Sequence, residues 1–540
     1  MEPPVSHKHS TILLVLDQGT TSTRAFAFSL PSLAVVASSR RENTTIADDT
    51  GLSEQDACEL LHVSIDCLED ALSRCGNEGD NGATGWDFAG LAITNQRETF
   101  VLVDPLSGQP TRNAIVWNDT RSAPMCDVLE HSVGSETSRS ITGLPISTYS
   151  SATKLAWLMH HDNQLASKLA AGSVYVMTIE SWLVYKLTNG RSLVTDVSNA
   201  SRSMLMNIEH LEWSETMCNS IGVSMSCLPA TIVSNAENVG VIEQIIDVGK
   251  PRPNPTGSIK TPRHRRTTLA GSPIVALIGD QHASLLGHGL QSPPAGSLVS
   301  PFVKATYGTG AFVLASTGPD VVHSSNKLLT TVAYKLGRGE QPKYALEGAI
   351  ASAASALDWC ADRLGLAHSA HAVDQLAASK KTSESHDPVF LPAFTGLLSP
   401  HWFPRAGAAL LGMTHATTQA DICCSVLEGV AHQIADCVHA IEKDTGCEVM
   451  QLLADGGAAN AHQMMQMQAN VLGKKVSIPR DTEVTARGAA IAAWVALGRC
   501  SESDNSPQQV DISFDSDWSE NLRQQRRERW QKAITLVAEL

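Results

Sequence analysis

The polar knot Asn95-Gln96-Arg97-Glu98 sets a full positive charge beside a full negative one between two apolar stretches that read as strands. A tight turn there would carry Gly or Asn. Asp17 is a second unusual charge. It closes the apolar run "ILLVL" and is followed by Gly19, Thr20, Thr21, Ser22 and Thr23. Small hydroxyl residues and a Gly in a hairpin turn expose N–H and O–H donors that suit phosphate oxygens. A carboxylate beside them suits Mg²⁺, which binds through one or two carboxylates and water. The stretch is not a Walker loop, and alone it reads equally well as an ordinary polar turn. Two further turns shift that balance: Gly308-Thr309-Gly310 between strands, and "LLADGGAAN" (452–460) between a strand and a helix rich in Met and Gln. Each half of the chain thus offers a phosphate-facing turn, and two lobes closing on a nucleotide would exclude water during transfer. Asp280 ends the apolar run "PIVALIG" and opens a small-residue helix. Taken alone, that Gly-Asp pair reads more readily as a turn or helix cap.

Placing these residues needs more than one core. At 540 residues the chain is expected to form two large lobes or three smaller units. Apolar content of 43 % and charged content of 18 % are globular values that exclude wholesale disorder. A net charge of −15 argues against a general nucleic-acid or anionic-membrane binder, which needs a basic face. The twelve cysteines show no CxxC spacing, so neither a metal site nor a redox pair is expected, and Cys423-Cys424 reads as two helix-face residues. The first apolar run is too short for a signal peptide or a membrane span, and a reducing, cytoplasmic setting fits best.

Residues 11–40 read as a hairpin and a third strand, and 54–75 as an amphipathic helix with Leu60, Leu61, Ile65 and Leu68 at helical spacing. Strands return at 90–103. The segment 248–272 is rich in Pro, Gly and basic residues and reads as a surface insertion; the sharper alternative is an anion site on Arg263, Arg265 and Arg266. Strands open the second half at 303–317, followed by helical stretches beginning "YALEGAIASAASALDWCADRLGL". The polar tail 501–514 reads as loose and 517–537 as a charged terminal helix. A β-then-α pattern appearing twice points to two α/β lobes.

These stretches together resemble the FGGY family of carbohydrate kinases. The resemblance is carried by "LDQGTTSTRAF", "TNQRETFVLVDPLSGQPTRNAIVWNDTR", "ITGLPISTYSSATKLAWL", "VTDVSNASRSMLMNIEHLEW", "IGDQHASLLG", "YGTGAFVL" and "LLADGGAANAHQMMQMQANVLGKKV", in family order. It implies a two-lobed, actin-like (ribonuclease H-like) α/β fold with the active site in the cleft between the lobes. It also implies ATP- and Mg²⁺-dependent transfer of the γ-phosphate to the 3-hydroxyl of glycerol, giving sn-glycerol 3-phosphate and ADP. By motif match, Asp280 would be the general base and Asp17 would help hold the metal. Arg97, Glu98, Tyr149, Asp280 and Gln281 would hold the polyol, with Phe312 against its carbons. Thr20, Thr21, Ser22, Arg24 and Thr309 would meet the nucleotide phosphates, with Gly457 near the adenosine. The implied division is a flexible tail at 1–10, a polyol-binding lobe at 11–290 carrying the insertion, a nucleotide-binding lobe at 291–500, and a polar linker with a terminal helix at 501–540. A homo-oligomer, dimer or tetramer, is open by analogy alone.

The physics agrees with these roles. Glycerol is a small uncharged triol, so only paired hydrogen bonds can recognise it, and an Arg fork beside a carboxylate can donate to and accept from adjacent hydroxyls. Phosphoryl transfer asks mainly for positioning, charge stabilisation and an acceptor for the hydroxyl proton. Trp117 reads as core packing, with Asp119 and Arg121 as an ion pair. His282 reads as a helix-start residue rather than a second base. Some positions depart from the family pattern: Ala354 stands for the usual Gly, Asp358 for a frequent Gln, and Ala461 for the usual Asn, with Asn460 one residue early. Met177 and Glu180 replace Gly and Asp. Two alternatives stand beside this reading: a related kinase for a pentulose or erythritol, and, motivated by the nucleotide-side changes, a non-catalytic paralogue that binds glycerol or nucleotide.

Overall fold

In the computed structural model, which describes residues 10–75, 86–249, 264–289, 293–380, 387–505 and 507–538, the apolar runs of each half fold into sheets of the same order. Two compact units result. The first comprises 1–287, 332–342 and 485–505; the second comprises 288–331, 343–484 and 506–540. The contiguous division expected from the sequence does not describe these units, because Val332–Pro342 and Thr485–Asn505 join the first.

In the first unit, β1 (Ser10–Gln18), β2 (Ser22–Leu30) and β3 (Ala34–Glu42) form an antiparallel meander, and helix α1 (Ala57–Cys75) follows. β4 (Trp86–Asn95) lies parallel to β1 on its other side. The helix α2 (Ser151–His161), the edge strand β5 (Ala236–Val241), β6 (Pro273–Gly279) and α3 (Asp280–Gly287) complete the frame. The sheet order is β5-β6-β4-β1-β2-β3, with β6 parallel to β4 and β5 antiparallel to β6. Ile12, Leu14 and Leu16 of β1, Leu91 and Ile93 of β4, and Leu60, Leu61, Ile65 and Leu68 of α1 meet in one buried cluster.

The second unit repeats this order with its own strands. β7 (Phe302–Tyr307) pairs antiparallel with β8 (Ala311–Gly318), and β9 (Leu329–Tyr334, its last three residues counted with the first unit) and β10 (Lys343–Ile350) extend that side. Helices α4 (Ala354–Asp362) and α5 (Gln419–Thr445) precede β11 (Gln451–Asp455), which is parallel to β7. Then come α6 (His462–Leu472), β12 (Lys475–Pro479), β13 (Val510–Phe514) and α7 (Glu520–Ala538). The order β9-β10-β8-β7-β11-β12-β13 again sets two parallel strands beside the first strand of a hairpin and closes with an antiparallel edge. No helix among the described residues is long and apolar enough to cross a membrane.

Three expectations need correction. Residues 343–350 form β10, not the start of a helix. Seven of its eight residues are buried, and a run apolar on both faces has no period that separates strand from helix. The tail is not loose to 514, because Val510–Phe514 pairs with β12 and covers an edge that would otherwise expose unpaired backbone groups. The anion site fails at Arg265, whose guanidinium is bonded to Asp66 and Glu69 of α1. Arg263 and the rest of 250–263 lie outside the described residues, as does the tail 1–9.

Candidate functional site

Parallel strands send their carboxyl ends to one edge of a sheet, and ligands bind there in open α/β sheets. In the first unit Asp17 of β1 is level with Thr94 of β4, and Thr94 with Ile278 of β6. The three strands therefore end in Asp17, in the knot 95–98 and in Asp280, side by side. Asp17 and Ile278 are two strand spacings apart, about 10 Å, and Asp280 follows two residues beyond Ile278. The knot lies between Asp17 and Asp280.

Arg97 reaches Asp280 and Tyr149. Its Nε is 3.2 Å from Asp280 Oδ1, and its Nη2 is 3.3 Å from the Tyr149 hydroxyl. Gly279 makes room for it, since a Cβ there would lie 2.8 Å from Arg97 Cγ and Cδ. Arg97 and Glu98 are buried, while the Asp280 side chain is 26 % exposed, which leaves its carboxylate open to a ligand. The Gln281 backbone N–H donates to Asp280 Oδ1 at 2.7 Å. Glu98 holds a left-handed backbone (φ 60°), a strained place for a residue with a side chain. Two contacts hold it there: Ser151 Oγ donates to its carbonyl at 2.8 Å, and Arg202 Nε donates to its carboxylate Oε1 at 2.6 Å. Arg202 is itself fully buried, with its guanidinium 5.5 Å from the Tyr149 ring centroid.

The sequence reading did not single out Arg202. The available signal was a charged residue inside the small and apolar stretch "SNASRSMLM", since Arg is rarely buried without a partner. Trp117 was read as packing alone. It is buried, but it stands edge-on to Tyr149 at 5.8 Å, and its Nε1 donates to Thr20 Oγ1 at 2.9 Å. It therefore joins the 19–22 turn to the group around Arg97. Asp119 and Arg121 pair at 2.8 Å as expected, and Glu54 takes the same Nη2 at 2.8 Å. His282 is fully buried in the first turn of α3.

The turn after β1 is held from behind. The Gln96 amide donates to Gln18 Oε1, to the Gly19 carbonyl and to Gln55 Oε1, and Asn43 Nδ2 donates to the Gly19 carbonyl. Thr21 is exposed and Thr20 and Ser22 are partly so. Arg24 Nη2 donates to Asp17 Oδ2 at 2.5 Å, so the expected metal carboxylate and the expected phosphate cation form one pair. Among the described residues no group of three or more His, Cys, Asp or Glu is placed to hold a metal ion. One or two carboxylates with nucleotide phosphates is the donor set that fits Mg²⁺.

In the second unit the turns 308–310 and 456–460 leave the level ends of β7 and β11, where Thr306 is opposite Asp455. Gly456 has φ 88°, and a Cβ there would meet the Tyr307 carbonyl at 2.6 Å. Thr309 and Gly457 are exposed. The Thr309 carbonyl accepts from the backbone N–H groups of Ala353 and Ser355, which ties this turn to the start of α4. Phe312 is buried on β8.

Behind the edge of the first unit lies a buried acid pair. Asp196 accepts from the N–H groups of Ser198 and Asn199 and from the amides of Asn199 and Asn235. Asn199 exchanges hydrogen bonds with Asn95, and Ser198 Oγ accepts from the Gly279 N–H. The network thus braces the residues just before Gln96 and Asp280. Burial, then the nearby Asp196 charge, pushes the Glu180 carboxyl up to about 8. Burial raises Asp196 as well, but its many donors favour the ionised form, so Glu180 holds the proton the pair keeps. The folded chain then binds more protons than the unfolded one between the ordinary Glu value and about 8, and stability falls as pH rises through that window. Glu180→Gln, neutral at every pH, should flatten this fall and raise the thermal midpoint at pH 8 by roughly 1–2 °C per kcal/mol recovered. Thermal melts at pH 5 and pH 8 check it, and an equal loss at both would show that shape alone matters.

The same architecture occurs in known proteins. Residues 12–250 match the N-terminal domain model of the FGGY family of carbohydrate kinases, and 303–497 match its C-terminal domain model. The chain is 36 % identical over 530 residues to a glycerol kinase of Pseudarthrobacter chlorophenolicus, covering 97 % of each chain. It is 38 % identical over 524 residues to a glycerol kinase of Myxococcus xanthus, covering 97 % of this chain and 98 % of that one. Among solved structures, Plasmodium falciparum glycerol kinase with ADP superposes with a TM-score of 0.80 at 29 % identity, covering 98 % of both chains. A xylulose kinase of Brucella ovis, at 21 % identity and a TM-score of 0.76, shares the fold. With its strand order, its charged strand ends and these matches along nearly its whole length, the chain belongs to the FGGY family of carbohydrate kinases.

Proposed function

We propose that this chain catalyses ATP-dependent phosphorylation of the 3-hydroxyl of glycerol, releasing sn-glycerol 3-phosphate and ADP as the entry step of glycerol catabolism. The observation that carries the reading is the group Arg97, Glu98, Tyr149 and Asp280 at one sheet edge. Three of the four are buried, and Asp280 is open. Near-full-length similarity to several glycerol kinases supports it.

In this reading Arg97 and the Tyr149 hydroxyl donate to polyol hydroxyls and Glu98 accepts from them. A buried fork of this kind rejects molecules without a matching hydroxyl, because its own groups would be left unpaired. Asp280 accepts the proton of the attacking hydroxyl, and Arg97 aims its carboxylate. Gln281, next in the chain, stands at the same edge. Thr20, Thr21 and Ser22 offer donors to phosphate oxygens, and Asp17 orients Arg24 toward them. Mg²⁺, held by the phosphates with Asp17, would spread the charge of the transferred group. Thr309, Gly457 and Phe312 keep their nucleotide and polyol roles on the family resemblance. A cytoplasmic setting rests on twelve cysteines without CxxC spacing.

ADP release on adding glycerol and ATP tests the reading, and turnover of a pentulose or erythritol with negligible glycerol turnover would replace it. Asp280→Asn should lower kcat by at least ~10²-fold, as for loss of a general base. Equal rates for the two proteins would remove that role. Arg97→Ala should raise KM for glycerol by about tenfold or more and also lower kcat, because the fork aims both the hydroxyl and Asp280. An unchanged KM would take Arg97 out of the polyol site.

A further inference from the structure

One buried cation beside this group has no part in the chemistry described. Lys154, in the first turn of α2, is 1 % exposed. Its ammonium donates to three consecutive carbonyl oxygens, those of Thr148 at 2.6 Å, Tyr149 at 2.9 Å and Ser150 at 3.4 Å. The neighbouring Thr153 Oγ1 donates to the carbonyls of Ser147 and Ser150, at 2.8 and 3.0 Å. The chain at 147–150 is thus wrapped around two side chains of the helix it leads into, and Tyr149 lies inside the wrap. Three groups face the ammonium from the elements around it: Glu98 from the turn after β4, Asp119 from the stretch after Trp117, and the Cys126 thiol from the helix Ala123–Ser132.

Stability gives little reason for an ammonium here. Its burial is costly, and the start of a helix carries the positive end of the helix dipole. Both nearby carboxylates already have an arginine: Glu98 bonds Arg202 and Asp119 bonds Arg121. What an ammonium alone supplies is three donors on one atom for three successive carbonyls.

We infer that Lys154 is a positioning residue for polyol recognition, fixing the backbone of 148–150 so that the Tyr149 hydroxyl stands where Arg97 and a bound polyol meet it. The inference rests on the reading of Tyr149 as part of a polyol site. It carries a pH signature. Burial lowers the Lys154 ammonium to about 8, against the opposite pull of Asp119, Glu98 and Cys126. Below that pH three N–H donors face three carbonyls. Above it the neutral amine keeps two donors and no charge, and the segment is held less firmly.

The test is steady-state kinetics on the full chain from about pH 6.5 to about 9.5, read as KM and kcat separately. In the wild type, KM for glycerol should rise through about pH 8 while kcat changes less. Lys154→Arg keeps a cation that does not titrate, so the alkaline rise should vanish. Lys154→Met should raise KM by about tenfold at neutral pH, with no alkaline rise and with kcat within about threefold. Hydrogen exchange should also quicken at 148–154 in Lys154→Met, a readout that needs no substrate. A Lys154→Met KM within about twofold of wild type, or an alkaline rise that persists in Lys154→Arg, overturns the inference. If neither variant folds, a wild-type KM that stays flat to about pH 9.5 overturns it alone. A wild type that ignores glycerol sinks the functional reading instead, and Lys154 is then judged by the same comparison on the polyol that is turned over.

Discussion

The buried ion pair between Arg202 and Glu98 is the contact on which the rest of the proposed polyol site depends. A lone carboxylate taken out of water costs several kcal/mol, and Glu98 also holds a left-handed backbone that nothing in its own chemistry favours. Arg202 meets the first cost with a charge-assisted bond at 2.6 Å and, through its face on Tyr149, ties the carboxylate to the aromatic wall. Arg97 is fixed from the opposite side by Asp280 and the Tyr149 hydroxyl. Tyr149 therefore stands between two guanidiniums, and Lys154 holds its backbone from below. Such a network is costly when half satisfied. The same property makes it selective: a ligand that matches the pattern completes the bonding, and one that does not leaves buried charge unanswered.

These charges could be gathered only by a sheet whose strands run the same way. β1, β4 and β6 are parallel and level, so their last residues share an edge although they lie at 18, 95 and 279 in the chain. Their interiors are apolar on both faces, as parallel strands covered by helices require. The charged residues begin where the apolar runs stop. The second unit repeats the order with β7, β11 and β12, but glycine turns follow its strand ends, and the one charged residue there, Asp455, is buried against His288. One topology thus supplies two kinds of edge, one built of side chains and one built of backbone.

Much of this was legible in the sequence where a local rule was broken. A charge pair where a turn wants Gly marked Arg97 and Glu98, and an aspartate at the end of an apolar run marked Asp17 and Asp280. Arg202 and Lys154 broke no local pattern strongly enough. Their meaning comes from partners about a hundred residues away for Arg202, and from backbone carbonyls for Lys154, and neither kind of contact leaves a spacing to read. Trp117 was visible as a buried ring, but its hydrogen bond to Thr20 belongs to the tertiary fold. The run at 343–350 failed for a different reason: residues buried on both sides lose the period that tells strand from helix.

The two edges also differ in what holds their turns. At the turn 308–310 backbone groups supply most of the bonds that fix the loop: Gly308 N–H to the Gly310 carbonyl, Ala354 N–H to the Gly308 carbonyl, and Ala353 N–H to the Thr309 carbonyl, with Ser355 Oγ also donating to the Thr309 carbonyl. Replacing the usual Gly by Ala354 leaves each of these in place, because a methyl group neither donates nor accepts. Asp358 is exposed on α4, where partial desolvation by its surroundings, then the neighbouring Asp362, raises its carboxyl pKa and makes it easier to neutralise than an ordinary aspartate. Backbone donors suit phosphate whatever side chains surround them. An edge built of backbone therefore tolerates side-chain drift, whereas an edge built of Arg97, Glu98 and Asp280 changes its hydrogen-bonding pattern with any one of them.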